Sequence, residues 1–94
     1  MKLPKEIKIG GLVYKIEEKD LRITEVENNS GYCRVNDEKI VINSELTENV
    51  KESTLLHEII EAINFNHQLE LPHSTIMTLE ATLYQVIKDN KLFK

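Results

Sequence analysis

The sequence predicts a single α+β domain in which a small antiparallel sheet is followed by two packed helices. Three observations lead to this prediction. Residues 6–43 alternate between polar and apolar side chains and are interrupted by turn signals, as in short strands. Residues 48–66 and 73–90 instead repeat their apolar side chains at helical spacing. The chain has only 94 residues and contains no linker or internal repeat, so we expect one domain over 1–94.

Two hairpins are expected in the strand-forming half. Residues 6–9 alternate polar and apolar side chains, the two glycines at 10–11 permit a tight turn, and residues 12–16 return along the first strand. The second hairpin is expected over 32–42, with its turn at the polar residues in the middle. A weaker alternation over 21–26 predicts either a further strand or an irregular connection. We therefore expect three to five strands that pair antiparallel.

Two helices are expected in the second half. The first is predicted over about 48–66, with Thr47 as its N-cap residue. Its apolar positions are Leu55, Leu56, Ile59, Ile60 and Ile63. The pattern breaks before Pro72, and the second helix is predicted over about 73–90. Its expected buried stripe consists of Ile76, Leu79, Leu83, Val86 and Ile87.

The composition argues against several classes of protein. Acidic residues outnumber basic ones by 16 to 12, and the net charge of −4 argues against a general DNA- or RNA-binding role. No apolar run approaches the roughly 18 residues of a membrane-spanning helix, and the N-terminal residues lack the apolar core of a secretory signal. Cys33 is the only cysteine, which excludes an internal disulfide and a Cys-rich zinc site. The expected location is the reducing cytoplasm.

The segment from His57 to Glu61 has the spacing of a metal-binding motif, His-Glu-x-x-Glu. On a helix, His57 and Glu61 lie one turn apart and differ by about 40° of rotation, so one cation can contact both. Glu58 is rotated by about 100° from His57, which puts it beside the cation, where a general base for an activated water is needed. The common form of this motif has a histidine in place of Glu61, but a carboxylate is also a good zinc ligand.

Three residues are candidates for the third ligand, namely His73, Glu80 and His67. We prefer His73, because it completes a set of two histidines and one glutamate, a composition found in catalytic zinc sites. Glu80 as a ligand would give a less positive site suited to manganese or iron; otherwise it could accept a hydrogen bond from a ligand. His67 follows His57 by ten residues, the spacing of a metzincin motif. Zinc is the expected ion, although these ligand types also suit other divalent cations.

The order of these motifs resembles the small zincin-like metallopeptidases of phages and prophages. The resemblance covers nearly the whole chain: an N-terminal hairpin containing glycine, the motif Leu-Leu-His-Glu-Ile over 55–59, and a closing Leu-Tyr-Gln-Val-Ile-Lys-Asp-Asn over 83–90. It implies a minimal zincin fold in which the strand before the motif helix lines a cleft. It also implies that His57 is the first metal ligand and Glu58 the general base. Glu61 stands where the family has its second histidine.

Two functions are expected from these residues. The first is zinc-dependent hydrolysis of a peptide bond, in which Glu58 passes a proton from water to the leaving amine. Residues 39–42 would then pair with an extended peptide or protein substrate at the edge of the sheet. The alternative is a non-catalytic accessory module that binds a protein partner on a degenerate zincin scaffold, because Glu61 departs from the family's histidine. Neither a nucleic acid nor a membrane is an expected partner, and the oligomeric state is left open.

Overall fold

The structure is a computed structural model that describes residues 3–21 and 30–92. Four strands are followed by two helices, which confirms the predicted α+β class. The strands are β1 (Glu6–Ile9), β2 (Leu12–Lys19), β3 (Gly31–Arg34) and β4 (Lys39–Asn43), with a short 3₁₀ helix at Val35–Asp37 between the last two. The helices are α1 (Glu48–His67) and α2 (His73–Asp89). Each helix ends within one residue of its predicted end.

The four strands form one sheet in the order β1–β2–β4–β3. The pairs β1–β2 and β3–β4 are the two predicted antiparallel hairpins, whereas β2 and β4 pair in parallel. The sheet is therefore mixed, because the second strands of both hairpins run in the same direction and lie side by side. The alternation within each hairpin contains no information on how the two hairpins join. The further strand considered over 21–26 lies almost wholly outside the described residues.

A two-residue turn closes the first hairpin. Ile9 pairs with Leu12, and the intervening Gly10 and Gly11 have φ angles of +58° and +85°. A type I′ turn requires positive φ at both central positions, which glycine adopts easily because it has no Cβ. The glycine pair therefore favours the register in which β1 and β2 pair.

β4 is a central strand and not an edge strand. It is paired with β2 on one side and β3 on the other, so the expectation that residues 39–42 bind substrate at the sheet edge is wrong. Ile40, Val41 and Ile42 are all fully buried, as is typical of a strand covered on both faces. Among the described strands, β3 lies at the edge of the sheet that has the more contacts with α1.

α1 packs on the sheet and contributes to the core of the domain. It begins after Thr47, the predicted N-cap residue, although the Thr47 side chain makes no capping hydrogen bond. The core cluster is formed by Ile9, Tyr14, Ile40, Ile42, Leu55 and Ala62. The helix thereby presents its buried face to the sheet and keeps another face free for α2.

α2 packs mainly against α1. Of its predicted buried stripe only Ile76 is buried, whereas Leu79 and Leu83 are exposed. The prediction assumed a helix covered along its whole apolar face, but only Ile76, in the first turn, is buried, and Val86 and Ile87 near the end are half-buried. Neither helix in the described part of the chain combines the length and the hydropathy that a membrane-spanning segment needs.

Candidate metal centre

Three side chains that could hold a metal ion converge where α1 meets the start of α2. His57 and Glu61 lie one turn apart on α1, and His57 Nε2 is 3.3 Å from Glu61 Oε2. His73, the first residue of α2, places its Nδ1 3.4 Å from the same oxygen of Glu61. One donor atom from each residue lies within 4.8 Å of the other two. The fold thus brings together the three residues that the sequence favoured as ligands.

The donor atoms suit a small tetrahedral ion in type, and the two distances from Glu61 to the histidines also suit it. Ligand atoms about 2.0–2.1 Å from zinc at tetrahedral angles lie about 3.3 Å from one another. The two distances that involve Glu61 are 3.3 and 3.4 Å. Two imidazoles and one carboxylate also leave a fourth position for water or substrate, as catalytic zinc sites require. The residues present therefore fit a zinc ion.

The connection between the helices positions His73. α1 ends where Gln68 adopts a left-handed conformation with φ of +50°. Asn64, still within α1, accepts a 2.9 Å hydrogen bond from the backbone N–H of Leu71 and donates one of 3.4 Å to its carbonyl. Pro72 then forms the N-cap of α2, so the helix begins directly at His73. A short, hydrogen-bonded return therefore brings His73 back alongside α1.

Glu80 lies behind His57 and outside the group of three donors. Its Oε1 is 2.9 Å from His57 Nδ1, and the Ser53 hydroxyl donates a hydrogen bond to its Oε2. A carboxylate can only accept hydrogen bonds, so His57 Nδ1 carries the proton and donates the hydrogen bond to Glu80 in this contact. The lone pair of a neutral His57 is then on Nε2, the nitrogen that faces Glu61. Glu80 is therefore positioned to orient the ring of His57, one of the candidate metal ligands.

Glu58 is buried beside this group, with only 7% of its surface exposed. Burial raises the pKa of its carboxyl to about 7; the charge of His57 opposes this shift, and the charges of Glu61 and Glu80 add to it. The carboxyl can therefore both accept and release a proton near neutral pH.

Two clefts meet at the candidate ligands. The strand cleft, of about 470 Å³, lies between α1 and the edge strand β3. The helix cleft, of about 320 Å³, lies beside α1 and α2. Both are lined by Gly31, His57, Glu58 and His73. The family resemblance implies that the strand before the motif helix, β4, lines a cleft, but the residues that line these two clefts come from β3, α1, α2 and the segments next to β3.

Sequence reasoning missed three residues of β3 that line the strand cleft, namely Gly31, Tyr32 and Cys33. Gly31 permits close packing, because a Cβ there would lie 2.6 Å from the carbonyl oxygen of Val41 and 3.1 Å from Thr54 Cγ2. Cys33 is half-buried, and burial together with the nearby carboxylates of α1 raises the pKa of its thiol to about 11. Gly31 stood in a turn signal, but its contact with α1 could be found only once the strand order was known.

His67 does not join the site. It is the last residue of α1, it is exposed, and it lies outside the convergent group found among the described residues. Ten residues of continuous helix separate it from His57 by about 15 Å along the axis. The metzincin-type alternative requires the helix to end earlier, and α1 continues to His67.

A scan against protein-family models finds no match, and searches of the curated proteins and of the solved structures find none either.

Proposed function

We propose that this protein is a zinc-dependent peptidase in which His57, Glu61 and His73 bind the metal and Glu58 is the general base. The observation that carries this proposal is the convergence of three donor atoms, all within 4.8 Å of one another, beside a buried carboxylate. The motif over 55–59 and the resemblance to zincin-like phage and prophage proteins support it from the sequence. A cytoplasmic location is part of the proposal.

The residues of the chain would divide the chemistry among them. Zinc, when bound, supplies polarisation of the scissile carbonyl and makes water more acidic. Glu58 accepts a proton from the attacking water and delivers it to the leaving amine. Glu80, hydrogen-bonded by Ser53, keeps the His57 ring oriented with its Nε2 available for the metal.

β3 offers a backbone edge to which an extended peptide can add. Within the described sheet its only partner is β4, and Gly31, Tyr32 and Cys33 line the strand cleft. A peptide paired along this edge would pass the residues that the two clefts share. The role first expected of residues 39–42 is therefore assigned to β3.

Replacement of Glu58 tests the peptidase proposal. The zinc-loaded wild type should hydrolyse a denatured protein or a peptide mixture, and Glu58→Gln should lower the rate by at least about 100-fold. The variant should still bind zinc, because Glu58 is not one of the proposed ligands. Glu52→Gln is the matched control: it changes another half-buried glutamate of α1 that lines neither cleft. Equal hydrolysis by the wild type and Glu58→Gln would refute the assignment.

One observation favours the second candidate, a non-catalytic binding module. The carboxylate of Glu61 contacts both His57 and His73, so its attraction to the two imidazoles, when they carry a proton on each nitrogen, can hold the group together without a metal. Glu61→His restores the common two-histidine motif and separates the candidates. Tighter zinc binding without any hydrolysis would support the binding module, whereas peptide hydrolysis by the wild type would support the peptidase.

A further inference from the structure

The candidate metal ligands stand between two clefts and not at the bottom of one. His57, Glu58 and His73 line both the strand cleft and the helix cleft. A peptide that passes the candidate metal ligands can therefore place one side chain in each cleft. The two side chains then lie on opposite sides of the peptide bond nearest the metal ligands. The arrangement can contact a substrate on both flanks of the reacting bond.

Each cleft contains large apolar side chains that the fold leaves in contact with solvent. Val35 and Phe65 line the strand cleft, and Phe65 is 63% exposed. Val50 and Met77 line the helix cleft, and Met77 is 53% exposed. Apolar side chains next to a few converging polar groups are the usual lining of a binding site. The apolar side chains of the two clefts are therefore suited to contact apolar groups of a bound substrate.

The backbone edge of β3 further restricts the substrate. Within the described sheet β3 pairs only with β4, so its other edge offers backbone donors and acceptors to an extended chain. An extended peptide with apolar side chains suits both this edge and the two clefts.

We propose that the substrate is an extended peptide with an apolar side chain on each side of the cleaved bond. One apolar side chain occupies the strand cleft against Val35 and Phe65, and the other occupies the helix cleft against Val50 and Met77. This inference rests on the proposed peptidase function and specifies its substrate class.

A binding assay tests the inference without requiring turnover. Zinc-loaded Glu58→Gln protein is titrated into fluorescently labelled peptides that have leucine on both sides of the central bond, or serine on one side. Each leucine-to-serine change should weaken binding about tenfold, as expected for loss of one buried apolar side chain. Equal binding of all the peptides, or no binding of any, would overturn the inference.

Variants of the two clefts identify which flank each one contacts. Phe65→Ser should remove the preference for leucine on one side only, and Met77→Ser should remove it on the other side. Leu69→Ser is the control, because Leu69 is also exposed and lines neither cleft. An equal effect of Leu69→Ser would contradict the assignment of the clefts.

A parallel hydrolysis assay with wild-type protein separates this inference from the proposed function. Cleavage without preference at either flank would overturn the inference and leave the peptidase function standing. Selective binding without cleavage of the bound peptides would refute the peptidase function, while the two-flank recognition would be supported.

Discussion

His57 is held by side chains from both helices, and only part of this arrangement could be predicted from the sequence. The four-residue spacing predicted that Glu61 would lie beside it, since one helical turn separates the two. For Glu80 the sequence left open a role as ligand or as hydrogen-bond acceptor, because the rotation of α2 against α1 depends on packing. Its contact with His57 Nδ1 corresponds to the second of these roles.

Loss of Glu80 should weaken zinc binding through the orientation of His57. Glu80→Ala is expected to lower the zinc affinity by about 10- to 100-fold, as measured by competition with a chromogenic chelator. Glu52→Ala is the matched control, because Glu52 also joins the two helices, by a 2.7 Å hydrogen bond from Tyr84, without contacting His57. Similar losses of affinity in both variants would mean that Glu80 acts only through the helix packing.

The thiol of Cys33 should react slowly in the folded protein. With its pKa raised from 9.0 to about 11, the thiolate population near neutral pH falls by about 100-fold, and thiolate is the reactive species. Alkylation by iodoacetamide, followed by mass spectrometry, should be slower by about this factor than in denaturant, and it should accelerate as the pH rises towards 11. Equal rates in the native and denatured protein would contradict the burial of this thiol.

The connection between α1 and α2 is the element on which the site depends. The helical periodicity and Pro72 predicted where each helix ends, because these signals are local. They did not predict that Asn64, a helical residue, would hydrogen-bond both backbone groups of Leu71. That contact becomes visible only when the chain is seen to fold back on α1.

Removal of the Asn64 side chain should loosen this connection. Asn64→Ala is expected to lower the free energy of unfolding by about 1–3 kcal/mol, since Leu71 loses two hydrogen bonds, and to weaken zinc binding by displacing His73. Urea denaturation measures the first effect and a zinc titration the second. Gln85→Ala, which removes only an exposed contact to Asp89, should change the stability by less than about 0.5 kcal/mol. An unchanged denaturation midpoint in Asn64→Ala would contradict this role.

On the scale of the whole molecule, the sequence predicted the elements better than their arrangement. Alternation and helical periodicity are properties of neighbouring residues, and they gave the class, the two hairpins and both helices. The parallel pairing of β2 with β4 joins residues distant in the chain, such as Ile16 and Ile40. The run from Ile40 to Ile42 was nevertheless a signal of a central strand, because its consecutive apolar residues do not alternate.

The binding of zinc to the metal-free protein tests the central claim most directly. Titration against a competing chelator should show one zinc ion per chain, with affinity lowered by at least about 100-fold in both His57→Ala and His73→Ala. His67→Ala should bind zinc as the wild type does, because this exposed histidine lies outside the group of donors. Zinc binding that is equally tight in the wild type, His57→Ala and His73→Ala, or that is lost in His67→Ala, would contradict the proposed metal site.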